Sequence, residues 1–270
     1  MKIIIFVEDF GATGVVRNAI AIAGRLSALD HEVILLAAKP EGVLRGCVSA
    51  GVATAALNES GAAGTRSAVM RSSFRRFRSF VRTQYPDVVF SAGNHGHLLV
   101  LAGTRFLPCS TLVRISNDLD HRGSKREPGA WARWKRKLKF RTILTLADRV
   151  ALVSGRLLQQ VEALDPALAR KAVVIPNGVD AAAVRAQADE TLPDANLGDS
   201  TVPTVLALGR LVSQKNFATL LEAVAISRRS TDLRLLLIGT GPLRAELIDQ
   251  AERVGMSDAL RIVDPVPNPF

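Results

Sequence analysis

Cysteine is nearly absent from this 270-residue sequence, with only Cys47 and Cys109 present. They lie far apart and show no metal-ligand spacing, so neither a disulfide framework nor a zinc site is indicated. Long apolar runs are missing too. Stretches such as Ile3–Val7 and Leu235–Ile238 fall far below the ~20 residues of a membrane-spanning helix. One lysine precedes the first strand-like run and acids follow it, a pattern unlike a secretory signal. No short tandem repeat is present. These absences leave a soluble, cytoplasmic protein as the expectation.

Acids are also scarce, but only locally. The chain carries 35 Lys and Arg against 25 Asp and Glu, a formal charge of +10. Arg66–Arg82 holds six arginines and no acid; Arg122–Arg141 holds nine Lys and Arg and one acid, Glu127. These windows carry +6 and +8, while the remaining 20 basic and 24 acidic residues are net −4. Both windows read as amphipathic helices. Met70, Phe74, Phe77 and Val81 recur at i, i+4, i+7 and i+11, with Arg71, Arg75, Arg78 and Arg82 offset by one residue, about 100° around the helix. In the second window Trp131, Trp134 and Leu138 share a face beside Lys135, Arg136, Lys137 and Lys139. Such stripes pack inward on ordinary surface helices. They also suit an anionic membrane surface, with aromatic rings at headgroup depth. The membrane-facing candidates are Arg71, Arg75, Arg78, Trp131, Trp134, Lys135 and Lys137. No recognised nucleic-acid motif accompanies the charge, so nucleic acid is not expected as a partner.

What is plentiful is hydrophobic sequence, 48% of residues, enough for a sizeable core. Strand-like and helix-like segments alternate, which predicts parallel βαβ units. Strands are expected at Lys2–Val7, Glu32–Ala37, Asp87–Ser91, Thr111–Ser116, Arg149–Val153 and Ala172–Ile175. Helices are expected at Val15–Leu29, through the arginine-rich window, and at Trp131–Ala147. A second set follows: strands Thr204–Leu208, Leu233–Ile238 and Leu260–Val263, with helices Phe217–Ser227 and Leu243–Gly255. The fold class predicted is α/β, two Rossmann-like domains with parallel sheets, the second incomplete. Residues 1–180 form the first domain, 181–202 a linker, and 203–270 the partial second domain.

Chemistry-bearing residues cluster after the strands. Gly11-Ala-Thr-Gly14 precedes the first helix, where backbone N–H groups hold anions, although a plain tight turn gives the same residues. The spacing is not that of a dinucleotide fingerprint. Gly209-Arg210 followed by Lys215 offers a planar fork and a mobile point charge suited to adjacent phosphates. Gly239-Thr-Gly241 lets a base or ribose approach the backbone. Asn94-His95-Gly96-His97 sits at a strand's carboxyl end.

Taken in order, the Gly-rich first turn, Ile175-Pro-Asn-Gly-Val-Asp180, Gly209-Arg-Leu-Val-Ser-Gln-Lys-Asn216 and Leu237-Ile-Gly-Thr-Gly-Pro-Leu-Arg244 resemble the retaining glycosyltransferases of family 4. Leu146-Ala-Asp-Arg-Val-Ala-Leu-Val-Ser154 is similar to the same family. The resemblance implies a GT-B fold with the acceptor mainly on the first domain and a nucleotide-sugar, UDP- or GDP-linked, on the second. It implies sugar transfer to a lipid-linked or polysaccharide acceptor with retention. Arg210, Lys215 and Gly14 match the diphosphate-binding positions, and Gly239 and Gly241 the nucleotide-binding ones. His121 and Asn117 are the catalytic candidates near the family's usual histidine, whose place here is taken by Ser116 and Asn117; Asn94 and His95 are acceptor-side candidates. Asp30 stands before His31 where the family usually has glycine. The paired glutamates of the family's second domain are missing, which implies a truncated member, and a non-catalytic membrane or acceptor-binding module is the alternative. No essential metal or resident cofactor is expected, and the implied location is the cytoplasmic face of the plasma membrane.

Overall fold

A computed structural model describes residues 1–59, 65–117, 129–190, 202–266 and 268. These divide into two compact units. The first opens with β1 (Lys2–Val7), α1 (Gly14–Ser27), β2 (Glu32–Ala37), β3 (Ala53–Ala56), α2 (Arg66–Ser72) and α3 (Phe74–Gln84). It continues with β4 (Val88–Ser91), α4 (His97–Thr104), β5 (Ser110–Ile115) and α5 (Ala130–Leu146). It closes with β6 (Arg149–Leu152), α6 (Gly155–Leu164), α7 (Pro166–Ala169) and β7 (Ala172–Val174). The second holds α8 (Ala181–Ala188), β8 (Thr204–Leu208), α9 (Phe217–Ser227), β9 (Arg234–Ile238), α10 (Arg244–Arg253) and β10 (Leu260–Val263).

The first unit is a seven-stranded parallel sheet ordered β3-β2-β1-β4-β5-β6-β7. Its central strands are apolar throughout because both faces are covered. Alternate residues of β1 point to opposite faces. Ile3, Ile5 and Val7 pack with Val16, Ala19, Ile20 and Ala23 of α1, whereas Ile4 and Phe6 pack with Phe77 and Val81 of α3 and Leu99 and Val100 of α4. Strand order reverses beside β1, so the crevice outside β1 and β4 is the sheet's switch point, where ligands of such sheets bind.

Most expected elements are present within two residues of their predicted ends, but several differ. The arginine-rich window is two helices rather than one. Ser73 separates them. Its hydroxyl donates to the Val69 carbonyl at 2.7 Å and accepts from Asn58 Nδ2 at 2.7 Å, a back-bonding pattern that bends helices. The segments β3, α4, α6 and α7 were not expected. α4 hides from periodicity because it is apolar on all sides and buried on most of them. The start of the expected linker is helical: α8 is alanine-rich, and Asp180 Oδ1 accepts the Ala182 N–H at its start. Residues 191–201, the linker's centre, lie outside the described residues. Asp30 adopts φ 60°, the left-handed conformation for which a glycine is the unstrained choice and which Asp tolerates.

In the second unit β9 lies between β8 and β10, all parallel. Leu235 and Leu237 join Val205, Ala207 and the apolar sides of α9 and α10 in one core. On the other face of β8, Leu206 and Leu208 remain 48% and 43% exposed.

Candidate functional site

At the carboxyl end of β1 the chain turns through Gly11–Gly14. Asp9 Oδ1 accepts the Gly11 N–H at 2.8 Å, and Thr13 Oγ1 caps α1 by accepting the Val16 N–H at 3.3 Å. Gly14 is exposed, and a Cβ there would meet nothing within 4 Å. The fold itself therefore sets no requirement for glycine at 14.

The carboxyl end of β4 carries a buried polar network that motif reading left incomplete. Ser91 Oγ lies 2.8 Å from His97 Nδ1, and His97 Nε2 lies 3.2 Å from Asn94 Oδ1. His97 is 1% exposed. Burial foremost, then the charge of Lys139, pushes its pKa down to about 3; the backbone of Arg114 opposes this, and the charges of His95 and Arg114 add slightly to it. The ring is thus neutral near pH 7, with Nε2 donating to Asn94 and Nδ1 accepting from Ser91. Asn94, an acceptor-side candidate, is fixed by this chain; His95 beside it is exposed.

Next to the network sits Arg114 of β5, 5% exposed, its pKa lowered by burial. Its guanidinium donates to the Ala92 carbonyl at 3.3 Å and to Asn177 Oδ1. A buried cation held by neutral oxygens is costly, which marks the position as more than packing. The signal was legible: a lone arginine inside an apolar parallel strand. Asn177 belongs to the Ile175–Asp180 motif, so part of that motif serves to hold Arg114. Similarly, Asp148 of the Leu146–Ser154 motif accepts the Thr111 N–H and hydroxyl at 2.7 and 2.8 Å, and Ser154 caps α6. Asn117 is exposed two residues beyond β5, and His121 lies outside the described residues.

In the second unit two loops are fused backbone to backbone. Leu211 N–H donates to Thr240 O at 2.9 Å, Gly209 N–H to Ile238 O at 3.0 Å and Leu243 N–H to Leu211 O at 3.1 Å. A Cβ on Gly239 would fall 1.9 Å from the Gly209 carbonyl oxygen, and one on Gly241 2.4 Å from that of Leu211. The close approach these glycines permit is made by the neighbouring loop, which gives them a packing reason independent of any nucleotide. Gly209 itself has φ 149°, and the Lys215 stem passes over it. Arg210 and Lys215 are both exposed, and neither pairs with an acid among the described residues.

The basic helices split by residue. Arg71 and Arg75 are exposed. Arg78 differs from its expected membrane-facing role: its guanidinium donates to the carbonyls of Gly103 and Arg105 at 3.0 and 2.9 Å, closing the end of α4. On α5, Trp131 and Trp134 are 64% and 53% exposed and stack with centroids 4.9 Å apart. Lys135 lies 5.0 Å over the Trp131 ring, and Lys137 is exposed. Among the described residues no helix is long and apolar enough to cross a membrane.

Two Rossmann-like units, each carrying polar residues at the carboxyl ends of parallel strands, are the parts of a GT-B fold. Solved structures share the fold. Sucrose-phosphate synthase from Thermosynechococcus elongatus matches with a TM-score of 0.72 at 16% identity, over 98% of this chain and 71% of that one. Anabaena Alr3699/HepE in complex with UDP and glucose matches at 0.68 and 15%, over 99% and 70%. The lipopolysaccharide outer core galactosyltransferase WaaB matches at 0.63 and 16%, over 100% and 69%. No curated protein matches the chain. The chain belongs to glycosyltransferase family 4: the family described as Glycosyltransferase Family 4 matches residues 12–183, and the one described as Glycosyl transferases group 1 matches residues 189–269.

Proposed function

We propose that this glycosyltransferase moves a sugar from a UDP- or GDP-linked donor to a lipid-linked or cell-surface polysaccharide acceptor, with retention of anomeric configuration. The observation that carries the donor half is the pair Arg210 and Lys215, exposed and without an ion pair among the described residues, on a loop whose backbone is braced by its neighbour. Preorganised cations stabilise charge as it develops on a leaving diphosphate. Anabaena HepE, with UDP and glucose in its structure, supports a uridine nucleotide. Gly14, with open space at a helix N-terminus, is the first unit's own candidate for contacting a diphosphate. In this reading Gly239 and Gly241 contact the nucleotide and Asn117 lies near the reacting sugar. With two cations for the diphosphate, transfer is expected to persist in EDTA.

Asn94 and His95 serve the acceptor side, and α5 docks on the cytoplasmic leaflet of the plasma membrane, a reading supported by its exposed tryptophans and lysines. Calorimetry with UDP-, GDP- and ADP-sugars tests the donor half. Arg210→Ala and Lys215→Ala are each expected to weaken donor binding at least tenfold, about 1.4 kcal/mol, as for a lost charge-assisted contact. Unchanged affinity in both variants overturns the assignment. Proton NMR of the transferred sugar's anomeric configuration tests retention.

A further inference from the structure

Between α2, α3, α4 and α5 the first unit opens into a groove of about 490 Å³ that neither the fold nor the donor chemistry uses. Met70, Phe74, Leu98 and Leu99 supply its apolar walls, and Arg71 and Lys139 its cations, with His95 also lining it. We propose that this groove binds the lipid-phosphate end of the acceptor, with a hydrocarbon chain along the apolar walls and a phosphate held by Arg71 and Lys139. The inference rests on the transferase reading above and names the acceptor's chemical class.

Four observations support it. Phe74 and Leu98 are 37% and 42% exposed at the groove, although Phe77 and Val81 further along α3 are fully buried. The apolar walls therefore remain available to an apolar ligand. None of the lining residues is acidic, and Arg71 and Lys139 are exposed without an ion pair among the described residues. The positive field is felt inside the protein as well: after burial, Lys139 is the largest cause of the depressed pKa of His97. Finally, Trp131, Lys135 and Lys139 follow one another at i, i+4 and i+8, so a single face of α5 runs from the exposed tryptophan to the groove. An amphiphile with a phosphate head matches each of these features. A bare sugar leaves the apolar walls unused, and a neutral lipid leaves the cations unused. The volume lies within the ~300–1,000 Å³ of small-molecule sites.

Monomeric farnesyl phosphate, titrated into the full chain by calorimetry beside farnesol and inorganic phosphate, tests the proposal. Farnesyl phosphate is expected to bind at least tenfold tighter than either fragment. The double variant Arg71→Ala/Lys139→Ala is expected to erase that advantage over farnesol, while Leu98→Glu weakens farnesyl phosphate and farnesol together. Both variants change exposed side chains, so unaltered thermal unfolding and unaltered UDP-sugar binding are the controls. Farnesyl phosphate binding no tighter than farnesol or phosphate, or equally tight in the double variant, overturns the proposal. Donor binding with an empty groove sinks the groove alone. A filled groove in a protein that binds no nucleotide-sugar sinks the donor assignment and leaves the lipid-phosphate site standing.

Discussion

The helices α3 and α5 are both cationic, and both carry aromatic residues at helical spacing. α3 buries Phe77 and Val81 at 0% and 2% exposure, while α5 leaves Trp131, Trp134 and Leu138 between 48% and 64% exposed. The difference lies in what each helix finds beneath it. Phe77 meets Phe6 edge to face at 5.5 Å and presses against Gly103 of α4, where a Cβ would fall 2.4 Å from its ring. On α5 the buried contacts come only near the carboxyl end, at Ile143 and Leu144. Their cations divide in the same way. Arg78 is tied to the end of α4 and Arg76 donates to Asn58 Oδ1 at 2.7 Å, whereas Lys135 and Lys137 of α5 are exposed. An amphipathic stripe thus states that a face is apolar, and the neighbouring element decides whether that face becomes core or contact surface.

The largest test is Phe77→Ala, expected to cost about 3–5 kcal/mol in denaturant unfolding as a fully buried aromatic in a close-packed site. Leu138→Ala on α5 is expected to stay within about 0.5 kcal/mol. Equal losses at the two positions would break the comparison.

Next is acid sensitivity, which reports on the ground between the two helices. His97 has a folded pKa of about 3 against an unfolded value of 6.5. Below pH 6.5 the unfolded chain takes up a proton that the folded protein refuses. Stability from this site is therefore complete above pH 6.5 and falls as pH drops toward 3, by up to about 1.4 kcal/mol per pH unit. His97→Gln should flatten that stretch of the stability curve. Lys139→Ala, on α5, should shift its lower limit upward, because one of the charges opposing protonation is gone.

Arg78→Ala is expected to cost about 1 kcal/mol, a half-exposed charged donor leaving two carbonyls, while Arg75→Ala is expected near zero. Trp131→Ala/Trp134→Ala is likewise expected to change stability by no more than about 0.5 kcal/mol, and it should come with at least a tenfold loss of partition onto phosphatidylserine vesicles. Vesicle binding that survives this double variant but vanishes in Arg75→Ala would reverse the roles of the two helices.

Alternation of strands and helices made the sheet strands and most flanking helices legible from residue patterns alone, because fully buried parallel strands such as Ile3–Val7 are continuous in hydrophobicity. Elements without period or length escaped, and so did α6, although Leu157, Val161 and Leu164 recur in it at helical spacing behind a serine cap. α4 is apolar on every side, and Ala53–Ala56 is a short strand of small residues. In the site, loop cations were readable because Arg210 and Lys215 stand in a recognisable order after a strand. The roles of Ser91, His97 and Asn177 were not, although His97 and Asn177 stand in recognisable motifs, since their importance comes from who touches whom: a serine, a histidine and an asparagine acquire meaning only when the topology brings the carboxyl ends of β4, β5 and, beyond β6, β7 to one edge of the sheet.

The fused loops of the second unit have an evolutionary consequence. With a carbonyl oxygen 1.9 Å from where a side chain would begin at 239, and another 2.4 Å away at 241, neither position can drift without parting the loops. Variation in these two loops is then left to residues that carry side chains outward, such as Ser213, Gln214 and Thr240. On the proposed donor reading, a change of donor preference is expected there, on a backbone that stays the same.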